Sequence, residues 1–314
     1  MMLAAAILLA AQSGAPAAQQ GSEPKVQITF TAPEVHVQGQ PFEVEVEIRM
    51  PHIAAPLAHW LLTPSAFTID GEALERRTEQ TLLELPAGAV LNLRFDLGPY
   101  IEATGDFELS YAKGVCEEGP VKVAHYVPAE AADGAPLDFL AMPPEQLGQY
   151  LVLMETGKGS MVLEFWPDVA PGHVRNFLDL SQNGFYQGTL FHRTIPGFMI
   201  QGGDPFTKDE SQKGRWGQGN GPRMLQAEFN ARKHERGVLS MARATDPNSA
   251  SCQFFVMHGD APPLDGQYSA FGRAIGGLDT LDRIASAPTR MSGRENSAPV
   301  EPVAIVRTTV VVKP

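Results

Sequence analysis

Phe191-His192-Arg193-Thr194-Ile195-Pro196-Gly197-Phe198-Met199-Ile200-Gln201-Gly202-Gly203-Asp204 is the stretch on which the reading of this chain turns. It sets one arginine among apolar side chains and follows it with a glutamine. A guanidinium cannot shed its charge, so Arg193 beside Phe198 and Met199 marks a site rather than plain core.

A second block lies further on. It reads Leu239-Ser240-Met241-Ala242-Arg243-Ala244, then Ser251-Cys252-Gln253-Phe254-Phe255-Val256, then Leu264-Asp265-Gly266-Gln267-Tyr268-Ser269-Ala270-Phe271-Gly272. In order and approximate spacing, these blocks resemble the cyclophilins, a family of peptidyl-prolyl cis-trans isomerases. The likeness runs over residues 150–312. It implies an eight-stranded closed β-barrel with a helix capping each end. It also implies Arg193, Gln201 and Phe198 as catalytic residues, and Phe198, Met199, Phe255 and Leu264 as the apolar pocket for a proline ring. By the same resemblance Gln201 and Gln253 hold the substrate backbone, helped by main-chain groups at Ala242, Arg243 and Ala244. Gly217, in the glycine-rich run 214–221, is the contact of the neighbouring subsite, and Tyr268 walls the pocket. Neither a metal nor a cofactor is implied, and the partners are proline-containing polypeptides.

The chemistry explains the residue types. Turning an X-Pro bond means breaking amide resonance against a barrier of ~18–20 kcal/mol, which takes tens to hundreds of seconds uncatalysed. Shortening ~100 s to milliseconds takes about five decades, roughly 7 kcal/mol of preferential transition-state binding. As resonance is lost the prolyl nitrogen gains a lone pair, and a fixed donor aimed at it acts only on the twisted state. Arg193 is the candidate donor. One hydrogen bond to a charged group contributes ~1.5–3 kcal/mol, so the remainder must come from gripping the ring. The structural alternatives are an ion pair from Arg193 to Glu155, Glu164 or Asp204, and barrel core for Phe198 and Met199.

Three positions depart from the family's commonest pattern. Pro263 stands where many members carry a tryptophan, Tyr268 where a histidine is frequent, and Arg243 where an asparagine is frequent. The tryptophan contributes to cyclosporin binding in the family, so weak or absent inhibition by that drug is expected here. Arg243 adds positive charge at the rim and favours acidic residues beside the proline. Residues 205–215 read as a longer loop than in minimal members.

Periodicity supplies the local elements. Residues 151–165 read as a hairpin turning at Gly157-Lys158-Gly159. Residues 171–182 read as a helix capped by Asp168 and ended by Gly184, and residues 278–286 as a second with Leu278, Leu281 and Ile284 on one face.

Ahead of this domain, residues 21–128 show short alternating runs. Val26, Ile28 and Phe30 form one, and Phe42, Val44, Val46 and Ile48 another with glutamates between them. Leu91, Leu93, Phe95 and Leu97 repeat the pattern, as do Phe107, Leu109 and Tyr111, then Val121 and Val123. Period two with one polar face means half-buried strands, and this many favours an immunoglobulin-like β-sandwich. His52, His59 and Trp60 lack the spacing of a metal motif. The fold class is therefore mainly β: a sandwich, a Pro/Ala-rich linker over 129–148, and the isomerase-like domain over 149–314. In the linker, Leu137, Phe139, Leu140 and Met142 point to docking of its second half on a domain.

Composition bounds the partners. The chain has 314 residues, and 24 Lys plus Arg against 36 Asp plus Glu give a formal charge of -12, which repels a phosphate backbone and argues against nucleic acid. Residues 3–11 form an apolar run followed by Ala15-Pro16-Ala17, the order of a secretory signal over residues 1–20, and imply a periplasmic or secreted protein. That run is too short to span a bilayer, and no basic residue precedes it. The two cysteines, Cys116 and Cys252, are too few for a disulfide scaffold. The expected activity is X-Pro isomerisation assisting the folding of exported proteins. The alternatives are a non-catalytic binder of proline segments and a chaperone acting through the first domain.

Overall fold

The computed structural model describes residues 25–76, 81–103, 105–113, 115–130, 134–293 and 295–313. The expected signal over 1–20 lies outside the described residues. Contacts divide the chain into two compact units, one ending at Val127 and the other running from Pro128 to Lys313.

In the first unit, the alternating runs become strands whose apolar members point inward. One sheet, in the order β1-β3-β8, contains β1 (Gln27–Thr31), β3 (Glu43–Arg49) and β8 (Val90–Asp96). A second has the order β2-β10-β9-β5-β6. It is formed by β2 (Val35–Val37), β5 (Phe67–Ile69), β6 (Glu72–Ala73), β9 (Phe107–Tyr111) and β10 (Val121–Tyr126). A separate pair joins β4 (Ala55–Ala58) to β7 (Leu82–Leu85). Val44, Val46, Ile48, Leu91 and Leu93 from the first sheet meet Phe67, Phe107, Leu109, Tyr111 and Val123 from the second in one core. Among the described residues, this unit is two main β-sheets and one separate strand pair, and the immunoglobulin type stays an expectation. Within it, the buried imidazoles of His36 and His125 face each other with their Nδ1 atoms 2.9 Å apart.

The second unit is a curled eight-stranded antiparallel sheet. Its strands are β11 (Tyr150–Thr156), β12 (Gly159–Phe165), β13 (Arg193–Ile195), β14 (Met199–Gly202), β15 (Val238–Met241), β16 (Phe254–Met257), β17 (Ala270–Gly276) and β20 (Ile305–Val312). They run in the order β13-β14-β16-β15-β17-β12-β11-β20. Full closure as a strand ladder was expected, and the structure modifies it. The edge strands β13 and β20 are joined just before both begin, by a bridge between Leu190 and Ala304 and the bond from Phe191 N–H to Val303 O at 2.9 Å. A hairpin of β18 (Thr289–Ser292) and β19 (Glu295–Pro299) precedes the last strand.

The helices α2 (Pro171–Gln182) and α3 (Leu278–Ala285) fill the interior with Val174, Phe177, Leu178, Leu281 and Ile284. Asp168 is not the cap of α2: the N-cap position is Ala170, and the Asp168 carboxylate pairs with Arg232 instead. Proline at the first helical turn leaves one less N–H to satisfy there. Gly184, at φ +67°, ends α2 in the left-handed conformation that glycine adopts without strain. Leu278 is exposed rather than part of the buried face of α3.

The described residues of the linker, 129–130 and 134–148, pack into the second unit. Ala129 N–H donates to Val310 O at 2.9 Å, and both main-chain groups of Leu137 are held by the Gln182 side chain. Phe139 is fully buried and meets Tyr150 edge-on at 5.1 Å, while Leu140 stays exposed. The short helix α1 (Pro144–Leu147) then leads into β11.

Candidate active site

Strand alternation decides which residues can form a surface. Along β14 and β16, Ile200, Phe254 and Val256 point into the interior cluster. Their neighbours Met199, Phe255 and Met257 point outward into a second, smaller cluster with Val238, Ala261 and Ala270, against which Phe198, Leu264, Tyr268 and Ala242 pack. A residue shift of one would exchange the two sets, because successive strand side chains lie on opposite faces. The outer cluster is therefore a shelf on the barrel wall, not barrel core.

On this shelf lies a groove of about 140 Å³ lined by Arg193, Phe198, Met199, Gln201, Ala242, Arg243, Phe255, Leu264 and Tyr268. Its floor is held from behind: the Tyr268 ring meets Phe255 edge-on at 5.8 Å, and the buried His234 ring stacks against Phe255 at 6.2 Å. Asp265 and Ser240 fix that imidazole from its two nitrogens, at 3.2 and 3.0 Å. Burial lowers the His234 pKa, and its hydrogen bond to the Asp265 carboxylate opposes this.

Beside it, a second cavity of about 370 Å³ is lined by Gln201, Gly217, Gln218, Asn220, Met224, Ala242, Arg243, Ala244, Ser249, Ser251 and Gln253. Gln201, Ala242 and Arg243 border both hollows. A row of side-chain bonds links them. Arg193 Nη1 donates to Gln201 Oε1 at 3.3 Å, Gln201 Nε2 to Gln253 Oε1 at 3.1 Å, and Gln253 Nε2 to Gly219 O at 2.8 Å. Arg193 also gives Nε and Nη2 to the two oxygens of Glu295, each at 2.8 Å.

The structure thus brings Arg193, Phe198, Met199, Gln201, Phe255, Leu264 and Tyr268 into one groove, and Gly217, Ala244 and Gln253 into the adjoining one. Arg193 is ion-paired, but to Glu295 and to none of the expected carboxylates. Glu155 pairs with Arg307 and Glu164 with Arg273, while Asp204 accepts the N–H groups of Phe206 and Gly217. Main-chain N–H groups of 242 and 244 do not reach toward a ligand: Ala242 N–H donates to Gln253 O and Ala244 N–H to Ser249 Oγ, both at 2.9 Å. Arg243 stacks on the Tyr268 ring at 4.6 Å and donates to the carbonyls of Gln267, Ala244 and Thr245. Its charge stays at the rim while much of its donor capacity is spent on the loop. Sequence reasoning missed Met224, Ser249 and Ser251, whose types carry no signal, and Glu295, which comes from a hairpin far along the chain.

The loop over the second cavity is tied to one buried carboxylate. Residues 205–215 form two short 3-10 turns, Pro205–Lys208 and Glu210–Arg215, capped by Asp204 and Asp209. Asp204 lies so close to the returning chain that a Cβ at Gly219 would stand 2.0 Å from its Oδ1, so only glycine fits there. Cys252 behind this loop is fully buried, and burial pushes its thiol up to about 12, an inert group; Cys116 is likewise a free thiol. Among the described residues, no cluster of histidines, cysteines and carboxylates could hold a metal ion, and no helix is long and apolar enough to cross a membrane.

Residues 151–310 match the family model of cyclophilin type peptidyl-prolyl cis-trans isomerases. The chain belongs to the cyclophilin family. Among similar curated proteins, the "Probable peptidyl-prolyl cis-trans isomerase" of Brucella abortus (strain 2308) is 40% identical over 165 residues, covering 51% of this chain and 81% of that protein. The peptidyl-prolyl cis-trans isomerase of Acinetobacter baylyi is 36% identical over 172 residues, covering 53% of this chain and 88% of its own length. A crystal structure of a Cryptosporidium parvum cyclophilin type isomerase, solved in the presence of the dipeptide Ala-Pro, is 32% identical at a TM-score of 0.45, covering 52% of this chain and 99% of that one. The second unit is thus a cyclophilin-type peptidyl-prolyl cis-trans isomerase domain.

Proposed function

We propose that the groove bearing Arg193 is where this cyclophilin turns X-Pro bonds, with Arg193, Gln201 and Phe198 as its catalytic residues. The observation that carries this is the juxtaposition of the Arg193 guanidinium with an apolar shelf of Phe198, Met199, Phe255 and Leu264 in a single groove. The shelf grips the proline ring through apolar contact, which leaves the carbonyl side of the bond free to rotate. Arg193 Nη1 faces the groove beside Gln201 and donates to the prolyl nitrogen as it becomes pyramidal, an interaction made only in the twisted state. Gln201 and Gln253 hold the substrate main chain. The residue before the proline enters the adjoining cavity at Gly217 and Gln218, with Arg243 and Tyr268 at the rim. No proton transfer or covalent intermediate is needed.

The reading extends to the whole chain: an isomerase acting on exported proteins outside the cytoplasm, with the first unit as client-binding or positioning module. The apolar run and Ala15-Pro16-Ala17 support export. Cell fractionation with N-terminal sequencing tests it, and a cytoplasmic protein retaining residues 1–20 would overturn it.

The activity test is catalysed cis-trans exchange of an Ala-Pro peptide by the full chain and by Arg193→Ala. Loss of one hydrogen bond to a charged group predicts a fall of roughly 10- to 100-fold for the variant, at ~1.5–3 kcal/mol. An unchanged rate removes Arg193 from the mechanism.

A further inference from the structure

The hairpin β18–β19 places a carboxylate on Arg193, one of the two arginines that line the groove. Glu295 takes both Nε and Nη2 of Arg193 at 2.8 Å, a two-point grip with the geometry of a planar fork. What remains is Nη1, which points the other way, 3.3 Å from Gln201 Oε1 and 3.7 Å from Met199 Sδ. The grip therefore lies on the outer edge of the guanidinium. Glu295 is not among the residues lining the proline groove, so its carboxylate neither fills nor narrows the place a ring would take. The Glu295 carboxyl is held below the usual range, first by the hydrogen bond from Arg193 and further by Ser297, so it stays ionised at neutral pH. Ser297 is itself buried and lies two residues along β19 from Glu295.

We infer that Glu295 is a positioning residue for the isomerisation. It fixes the Arg193 side chain in the one orientation that leaves Nη1 as the donor to the substrate. This rests on the assignment of Arg193 as that donor. Arginine has many rotamers and a long stem, so an unheld guanidinium would spend much of its time turned to solvent, and the side chains of the pair are 34% and 43% exposed. The pair has little to do with holding the fold, because ion pairs this exposed contribute little to stability. Its effect lies in removing the need to order Arg193 in the transition state.

The test compares Glu295→Gln and Glu295→Ala with the parent, alone and combined with Arg193→Ala, in the full chain. Exchange of an Ala-Pro peptide is followed by NMR so that kcat and KM separate, and thermal unfolding is measured beside it. The expected result is a fall in kcat of about 2- to 10-fold, near the cost of immobilising one flexible side chain. KM should stay within about twofold, the unfolding midpoint should not move, and the Arg193→Ala background should show no further loss. Unchanged or raised kcat in both Glu295 variants, with Arg193→Ala still deficient, overturns the inference and leaves the reading of Arg193 intact. A loss of equal size on the Arg193→Ala background also overturns it, because the carboxylate would then act through the fold. Full activity in Arg193→Ala sinks the underlying assignment and this inference with it.

Discussion

Replacing Asp204 by alanine should loosen the loop over the second cavity at a cost that can be worked out bond by bond. Asp204 is fully buried, and its carboxylate accepts Phe206 N–H through Oδ1 at 2.8 Å and Gly217 N–H through Oδ2. The variant removes both acceptors but leaves the main-chain carbonyl, which takes Thr207 N–H and its hydroxyl at 3.1 and 2.6 Å. Hydrogen bonds to charged groups contribute ~1.5–3 kcal/mol each, and because water restores part of the loss at these partly buried amides the sum is about 2–4 kcal/mol. In a unit of this size, ~2–4 °C per kcal/mol converts that to a drop of roughly 5–15 °C in the unfolding midpoint of the isomerase domain. Asp204→Asn should recover little, since its single oxygen satisfies one amide while its NH₂ opposes the other. Exchange assays should show KM rising for peptides long enough to reach Gly217, with smaller change for a dipeptide. The assay is scanning calorimetry of parent and both variants at matched pH. Midpoints within about 2 °C of the parent for both variants would refute the reasoning, because the two amides would then have found other partners.

Further outcomes concern the histidine pair and the pocket rim. Burial lowers the pKa of both His36 and His125 from 6.5, with the charge of His125 adding to the effect on His36 and Asp106 opposing it on His125. The unfolded chain therefore takes up more protons as pH falls through 6.5, and the first unit, fully stabilised above that value, should lose stability below it. Unfolding scans from about pH 7.5 to about pH 5 check this, and a slope that survives replacement of both histidines by asparagine would contradict it. Cyclosporin should inhibit weakly or not at all, because Pro263 offers no indole where the family commonly has one. A tight inhibition constant would reverse that expectation.

Much of the second unit could be read directly from the sequence because its signals are local. Arg193, Phe198, Gln201 and Phe255 sit within motif blocks, and the apolar spacing of Val174, Phe177 and Leu178 gives a helix whatever surrounds it. Where a competing interaction was available, the local signal failed. Asp168 has the type of a helix cap but turns to Arg232. The docking that Leu137, Phe139 and Met142 led one to expect of the linker's second half is found, because burying an aromatic ring outweighs the freedom lost, but Leu140 stays exposed. Hydrogen-bond use at Ala242 and Ala244 was likewise invisible, since main-chain groups carry no residue identity.

By itself the sequence determined the family and the reaction class, and it named the residue types proposed to meet a proline: composition and motif order act through short-range preferences that survive without a fold. Only the tertiary structure decided which member of each pair faces the groove. Phe254 went inward and Phe255 outward because the register of β16 between β14 and β15 sets the parity for the whole strand. It also decided the partner of Arg193. Of the carboxylates that charge alone would permit, Glu295 was selected because a hairpin more than a hundred residues away brings it alongside β13, a choice made by packing rather than by anything written near the arginine.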